Sequence, residues 1–172
     1  MFYVSRFMKD RGFTILETTV AIFILVVALV AAISAFYGIM IATSSISSRL
    51  TAAYLAQEGI EIIRNIRDTN WLSDSDWESD FADCESQNGC QVDYTTGTGE
   101  IIPQPYTDSC LKIDLNNFYS YSGETPTKFK RKITITHPEE QSHILNVSVL
   151  VEWEEKGEQY NFTVEEQLYN WH

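Results

Sequence analysis

Val20-Ala21-Ile22-Phe23-Ile24-Leu25-Val26-Val27-Ala28-Leu29-Val30-Ala31-Ala32-Ile33 is an unbroken run of 14 apolar side chains, set within 31 consecutive uncharged residues, 18–48. Ser34 and Gly38 interrupt it only weakly, so the stretch to Ile41 exceeds the roughly 20 residues that a helix needs to cross a bilayer. No proline breaks it. In lipid a helix satisfies its own backbone hydrogen bonds, which an open strand does not. A core helix of this length usually carries a polar face, and this segment has none. The sequence predicts a single membrane-spanning helix.

Working outward, residues 1–12 carry Arg6, Lys9 and Arg11 against Asp10, a net charge of +2 that favours leaving this end in the cytoplasm. A secretory signal peptide is the competing reading. Its cleavage site would fall near Ala31-Ala32-Ile33 or Ser34-Ala35, yet the apolar stretch continues beyond both. Glu17 is the anomaly, a carboxylate inside the start of the apolar segment with no base C-terminal to it until Arg49. An unpartnered carboxylate there is costly; the plain alternative is a side chain reaching back to the headgroups.

The remaining composition sets bounds. With 172 residues, 12 Lys plus Arg and 24 Asp plus Glu, the net charge is −12, which excludes a general nucleic-acid binder. The length suits one domain plus an appendage, or at most two small domains. Aromatics at 13% are too many for a disordered chain.

Arg11-Gly12-Phe13-Thr14-Ile15-Leu16-Glu17, followed by the long apolar helix, closely resembles the class III signal of type IV pilins and type II secretion pseudopilins. The family pattern is a basic leader ending in Gly, then Phe-Thr-Leu-Ile-Glu and about twenty apolar residues; here Ile15 and Leu16 are swapped. The resemblance covers about 40 residues directly. It implies that a prepilin peptidase cuts between Gly12 and Phe13 on the cytoplasmic side and methylates the new amine of Phe13. Cleavage ahead of the helix leaves the anchor attached. The resemblance further implies that helices bundle with Glu17 of one subunit meeting the Phe13 ammonium of a neighbour. Such a pair sets axial register, because misalignment strands a charge in low dielectric. Many major pilins carry a proline in mid-helix where this chain has Ser34, which leans toward a minor pilin or pseudopilin. Tyr54-Leu55-Ala56-Gln57-Glu58-Gly59-Ile60-Glu61 is similar to a feature of PilV-like minor pilins.

Beyond the polar stretch 43–49, Leu55, Gly59, Ile62, Ile63 and Ile66 share one helical face, opposite Gln57, Glu58, Glu61, Arg64 and Asn65. One helix is expected from about Thr14 to about Arg67, roughly 80 Å long, closed by Asp68-Thr69-Asn70-Trp71. From Asp68 to Glu85 there are seven acids and no base. Asp74-Ser75-Asp76-Trp77-Glu78-Ser79-Asp80 alternates acids like a calcium loop but lacks the Gly and the later Glu of an EF-hand. A solvated acidic loop is expected, and no metal or other cofactor.

Three cysteines leave one unpaired or linked between chains. Cys84–Cys90 across a turn-rich segment is the possible disulfide, and Cys90–Cys110 the rival. A zinc site at the cysteines lacks a sensible fourth ligand, since His137 and His143 are distant in sequence. No catalytic constellation emerges, so no enzyme is expected.

Leu111–Leu115 and Phe118–Tyr121 read as a hairpin turning at Asn116-Asn117. Phe129–Thr136, Ile144–Trp153 and Gln159–Leu168 alternate with period two, an antiparallel meander whose apolar face the helix would cover. The basic run Lys128, Lys130, Arg131 and Lys132 reads as a solvated strand face. The expected fold class is α+β, the pilin fold: a long N-terminal helix, transmembrane in its first half, packed on an antiparallel sheet of three to four strands. The expected divisions are a removed leader (1–12), a transmembrane and polymerisation helix (13–48) and a globular domain (49–172).

The function implied is that of a filament subunit, with other pilin subunits, the prepilin peptidase, an inner-membrane assembly platform and membrane lipid as partners. It would reside in the inner membrane with its N-terminus cytoplasmic, and in an extracellular or periplasmic filament after assembly. Alternatives are a secretion pseudopilin, or a minor pilin acting as adhesin or DNA-uptake tip through the loops between about Trp71 and Thr127. A membrane-tethered enzyme is the remaining class.

Overall fold

Helix α1 (Ile15–Leu72) runs for 58 residues. The computed structural model describes residues 12–98, 101–138 and 143–170; the sequence-based leader, residues 1–12, lies outside these except for Gly12. The chain divides into two compact units, Met1–Ser44 and Ser45–His172.

The described part of the first unit is Gly12 to Ser44, helical from Ile15. Its apolar side chains are exposed throughout, and among the described residues α1 is the one helix long and apolar enough to cross a membrane. Its hydroxyls turn back on the backbone: Thr18 Oγ1 donates to Thr14 O, Ser34 Oγ to Val30 O at 3.0 Å and Thr43 Oγ1 to Ile39 O at 2.9 Å. These three hydroxyls are thereby satisfied without water, as a hydrocarbon environment would require.

In the second unit α1 buries one face. Ala52, Leu55, Ala56, Ile60, Ile63 and Ile66 pack into a cluster with Ile133, Ile135, Val147, Val149, Val151 and Trp153 of the sheet. Gly59 permits the close approach, because a Cβ there would meet Val149 Cγ1 at 3.1 Å and Ile133 Cδ1 at 3.3 Å. Ile62, expected on this face, is only half-buried, and Ile60 is buried there.

The helix continues five residues past the expected end at Arg67. It stops through a left-handed residue, Asp74 at φ 53. Asp74 N donates to Trp71 O at 3.2 Å and Ser75 N to Asn70 O at 3.0 Å, the paired bonds of a Schellman stop. Glycine usually fills that position, so the sequence carries no stop signal here.

Three 12-residue strands form the body of an antiparallel sheet: β5 (Thr125–Thr136), β6 (Ile144–Glu155) and β7 (Glu158–Tyr169), with β6 between the others. Lys156 (φ 57) and Gly157 (φ 82) make the two-residue β6–β7 turn. The other side of β5 pairs with β1 (Cys90–Gln91) at Ile133 and with β3 (Cys110–Ile113) nearer its start. β2 (Gln104–Pro105) and β4 (Tyr119–Ser120) extend these two short strands, giving seven in all among the described residues. The α+β architecture thus matches the expectation, with four short strands joined to the three long ones.

Candidate functional site

Gly12 and Phe13 immediately precede the helix, and Phe13 is 82% exposed. Thr14 caps α1: Glu17 N donates to Thr14 Oγ1 at 3.2 Å. Thr14 and Glu17 are therefore spaced as in a capping box, and the Glu17 carboxylate lies in the first turn, where the helix dipole favours negative charge. This local reason for an acid at position 17 escaped the sequence reading, although the Thr-x-x-Glu spacing was there to find. Among the described residues nothing pairs with that carboxylate.

In the second unit the structure joins Cys84 to Cys90 and leaves Cys110 as a half-buried free thiol. The bridge ties α2 (Ala82–Glu85) to β1 and hence to β5. Phe81, Cys84 and Cys90 are all fully buried. In the preceding acidic loop Asp76 closes its own turn, accepting from Glu78 N at 3.3 Å through its carboxylate and from Ser79 N at 3.0 Å through its carbonyl. Glu85 meets His137 Nε2 at 3.2 Å. Burial, then the charges of Asp76 and Glu85, push the Glu78 carboxyl above the usual range, against the opposing pull of His137.

One sequence expectation is overturned. Arg131 is not on a solvated face: it is wholly buried. Its Nη1 donates to Leu55 O and to Glu58 Oε2, both at 2.8 Å, and its Nη2 to Val92 O at 2.5 Å. Period two along β5 puts Arg131 on the same side as Phe129, Ile133 and Ile135, facing the helix, while Lys130 and Lys132 fall on the other side. The guanidinium thus holds helix, strand and loop 92–98 together. Tyr121 donates its hydroxyl to Arg131 O at 3.0 Å, and burial pushes that phenol up to about 12.

Two further polar knots support the unit. Buried Asp93 accepts from Thr95 N at 3.0 Å and Tyr121 N at 3.1 Å. Lys128 Nζ donates to Ser48 Oγ at 2.7 Å and to Glu155 Oε2 at 3.1 Å, while Ser48 donates to the same Glu155 oxygen at 2.7 Å. A serine beside a lysine has the atoms of a nucleophilic pair. Here both are held by one carboxylate, with Ser48 only 6% exposed, an arrangement that ties α1 to the β5 and β6 strands.

No family model, curated protein or solved structure matches the chain.

Proposed function

We propose that this chain is a structural subunit of a type IV pilus-like filament, processed before Phe13, N-methylated there and assembled through its apolar helix. What carries the proposal is a single juxtaposition. Gly12-Phe13 lies at the mouth of a helix whose first turn holds a carboxylate, Glu17, with no partner among the described residues, and whose next 31 residues are uncharged, with those up to Ser44 exposed. A lone anion at a fixed depth of an otherwise neutral helix is a register mark: a neighbouring helix that brings an ammonium to it satisfies the charge, and one displaced axially does not. The amine released at Phe13 by cleavage is such a cation. In this reading the first unit anchors the subunit in the inner membrane, N-terminus cytoplasmic, until extraction. The second unit, carrying 22 acids and nine bases over residues 49–172, faces the exported side, where the Cys84–Cys90 bond is stable.

A pseudopilin of a type II secretion system is the second reading, favoured by one observation. The helix carries Ser34 where many major pilins have proline, and Ser34 Oγ bonds to Val30 O inside an unbroken α1, which speaks for a minor pilin as much as for a pseudopilin.

Glu17→Ala tests the assembly role. With the peptidase present, the variant is cleaved normally, yet its incorporation into sheared filaments falls at least tenfold. Incorporation at the wild-type level refutes the role given to Glu17.

A further inference from the structure

We propose that Glu78, Glu85 and His137 form a binding site for a divalent cation of the zinc class. One ligand atom from each of the three side chains lies within 4.8 Å of the others, and His137 Nε2 is 3.2 Å from Glu85 Oε1. The three come from different parts of the unit: the loop ahead of α2, the last residue of α2, and the residue following β5. His137 and Glu85 are 52 positions apart in sequence, so only the fold unites them.

Both carboxylates are held beside a buried anchor. Glu78 follows Trp77, which is 5% exposed, and Glu85 follows Cys84, which is fully buried and bonded to Cys90. Cys90 in turn pairs with Ile133 on the strand that delivers His137. A framework of this kind reduces the ordering that a metal must impose on its ligands.

Charge points the same way. Two carboxylates share one imidazole, and among the described residues no Lys or Arg ion-pairs with either of them. A simple His137–Glu85 ion pair leaves Glu78 uncompensated. A divalent ion neutralises both carboxylates and takes the imidazole nitrogen as a neutral ligand. Two oxygens and one nitrogen make the three-ligand set of an open zinc site, with bonds of about 2.0–2.2 Å and a fourth position for water. Calcium, which takes six to eight oxygens and no imidazole, is a poor match. The ion would join the acidic loop, the disulfide segment and the end of β5.

The test uses the full chain in detergent, free of any purification tag and stripped with chelator, in a Cys110→Ser background so that the free thiol contributes no ligand. Titration with ZnCl2 by calorimetry is expected to give one site per chain. Co2+ should give visible absorption bands, and CaCl2 should give no heat above buffer. His137→Gln and Glu85→Gln should each weaken zinc binding at least tenfold and remove the cobalt bands, with the metal-free melting temperature unchanged within about 2 °C. Absence of zinc binding, a calcium response of equal strength, or wild-type zinc affinity in both variants overturns the proposal.

Discussion

Arg131 shows what a single side chain contributes here. Its guanidinium is wholly buried and serves two backbone carbonyls and one carboxylate, Glu58, which has no second base as an ion-pair partner among the described residues. Removing the guanidinium opens a cavity and takes a donor from the Leu55 and Val92 carbonyls, while Glu58, whose side chain is one-third exposed, keeps access to water. Arg131→Ala should therefore lose about 2–4 kcal/mol of stability, read as a fall in melting temperature of the detergent-solubilised chain. Arg131→Lys should recover only part of this, since a single ammonium cannot span the Leu55 and Val92 carbonyls in one plane. The sequence hides this residue within four bases in five positions, where charge suggests solvent. Alternation with Phe129, Ile133 and Ile135 was the signal that placed it inside. Glu17 was legible as an anomaly but not as the first-turn acid of a helix capped by Thr14, because the Thr-x-x-Glu spacing lies beneath a stronger motif.

At the scale of elements, the disulfide and the β3–β4 hairpin give separate tests. Cys84 and Cys90 are six positions apart, and closing so short a loop is worth about 2 kcal/mol of unfolded-chain entropy. Cys84→Ser with Cys90→Ser, or reductant alone, should lower stability by about that amount. Equal melting curves with and without reductant would count against the bridge. In the hairpin, Asp114 accepts Tyr94 Oη at 2.6 Å, Asn116 N at 2.8 Å and Phe118 N at 3.0 Å. The Tyr94 hydroxyl, then the Phe118 amide, hold its carboxyl below the usual range. A depressed folded pKa means that this stabilisation is complete above the unfolded value, about 4, and is lost as pH falls through the folded one. Asp114→Asn should flatten the acid limb of a melting-temperature profile while leaving its neutral plateau only modestly lower. The hairpin itself was readable, because Asn116-Asn117 is a turn signal between alternating runs. The end of α1 was not. Asp68, Thr69 and Asn70 are weak helix formers, yet Arg67 and Asn70 are buried, and the stop is made by Asp74 in the left-handed region without glycine. The two-residue strands β1, β2 and β4 are too short to show any period.

For the whole molecule, the α+β architecture followed from two patterns that no local detail could mask: an apolar run longer than a bilayer, and three strands of strict alternation. Charge divides accordingly. Of the 24 acids, only Asp10 and Glu17 precede residue 49, and the other 22 fall in residues 49–172. The spatial meeting of Glu78, Glu85 and His137 was unreadable in advance, since sequence distance placed His137 far from the cysteine segment. The proposed filament function rests on processing before Phe13. Mass spectrometry of the N-terminal peptide of the chain recovered from membranes that contain a prepilin peptidase examines it directly. The expected result is an N-methylated phenylalanine at residue 13; an intact Met1, or a chain beginning after Ala35, contradicts membership of a pilus-like filament.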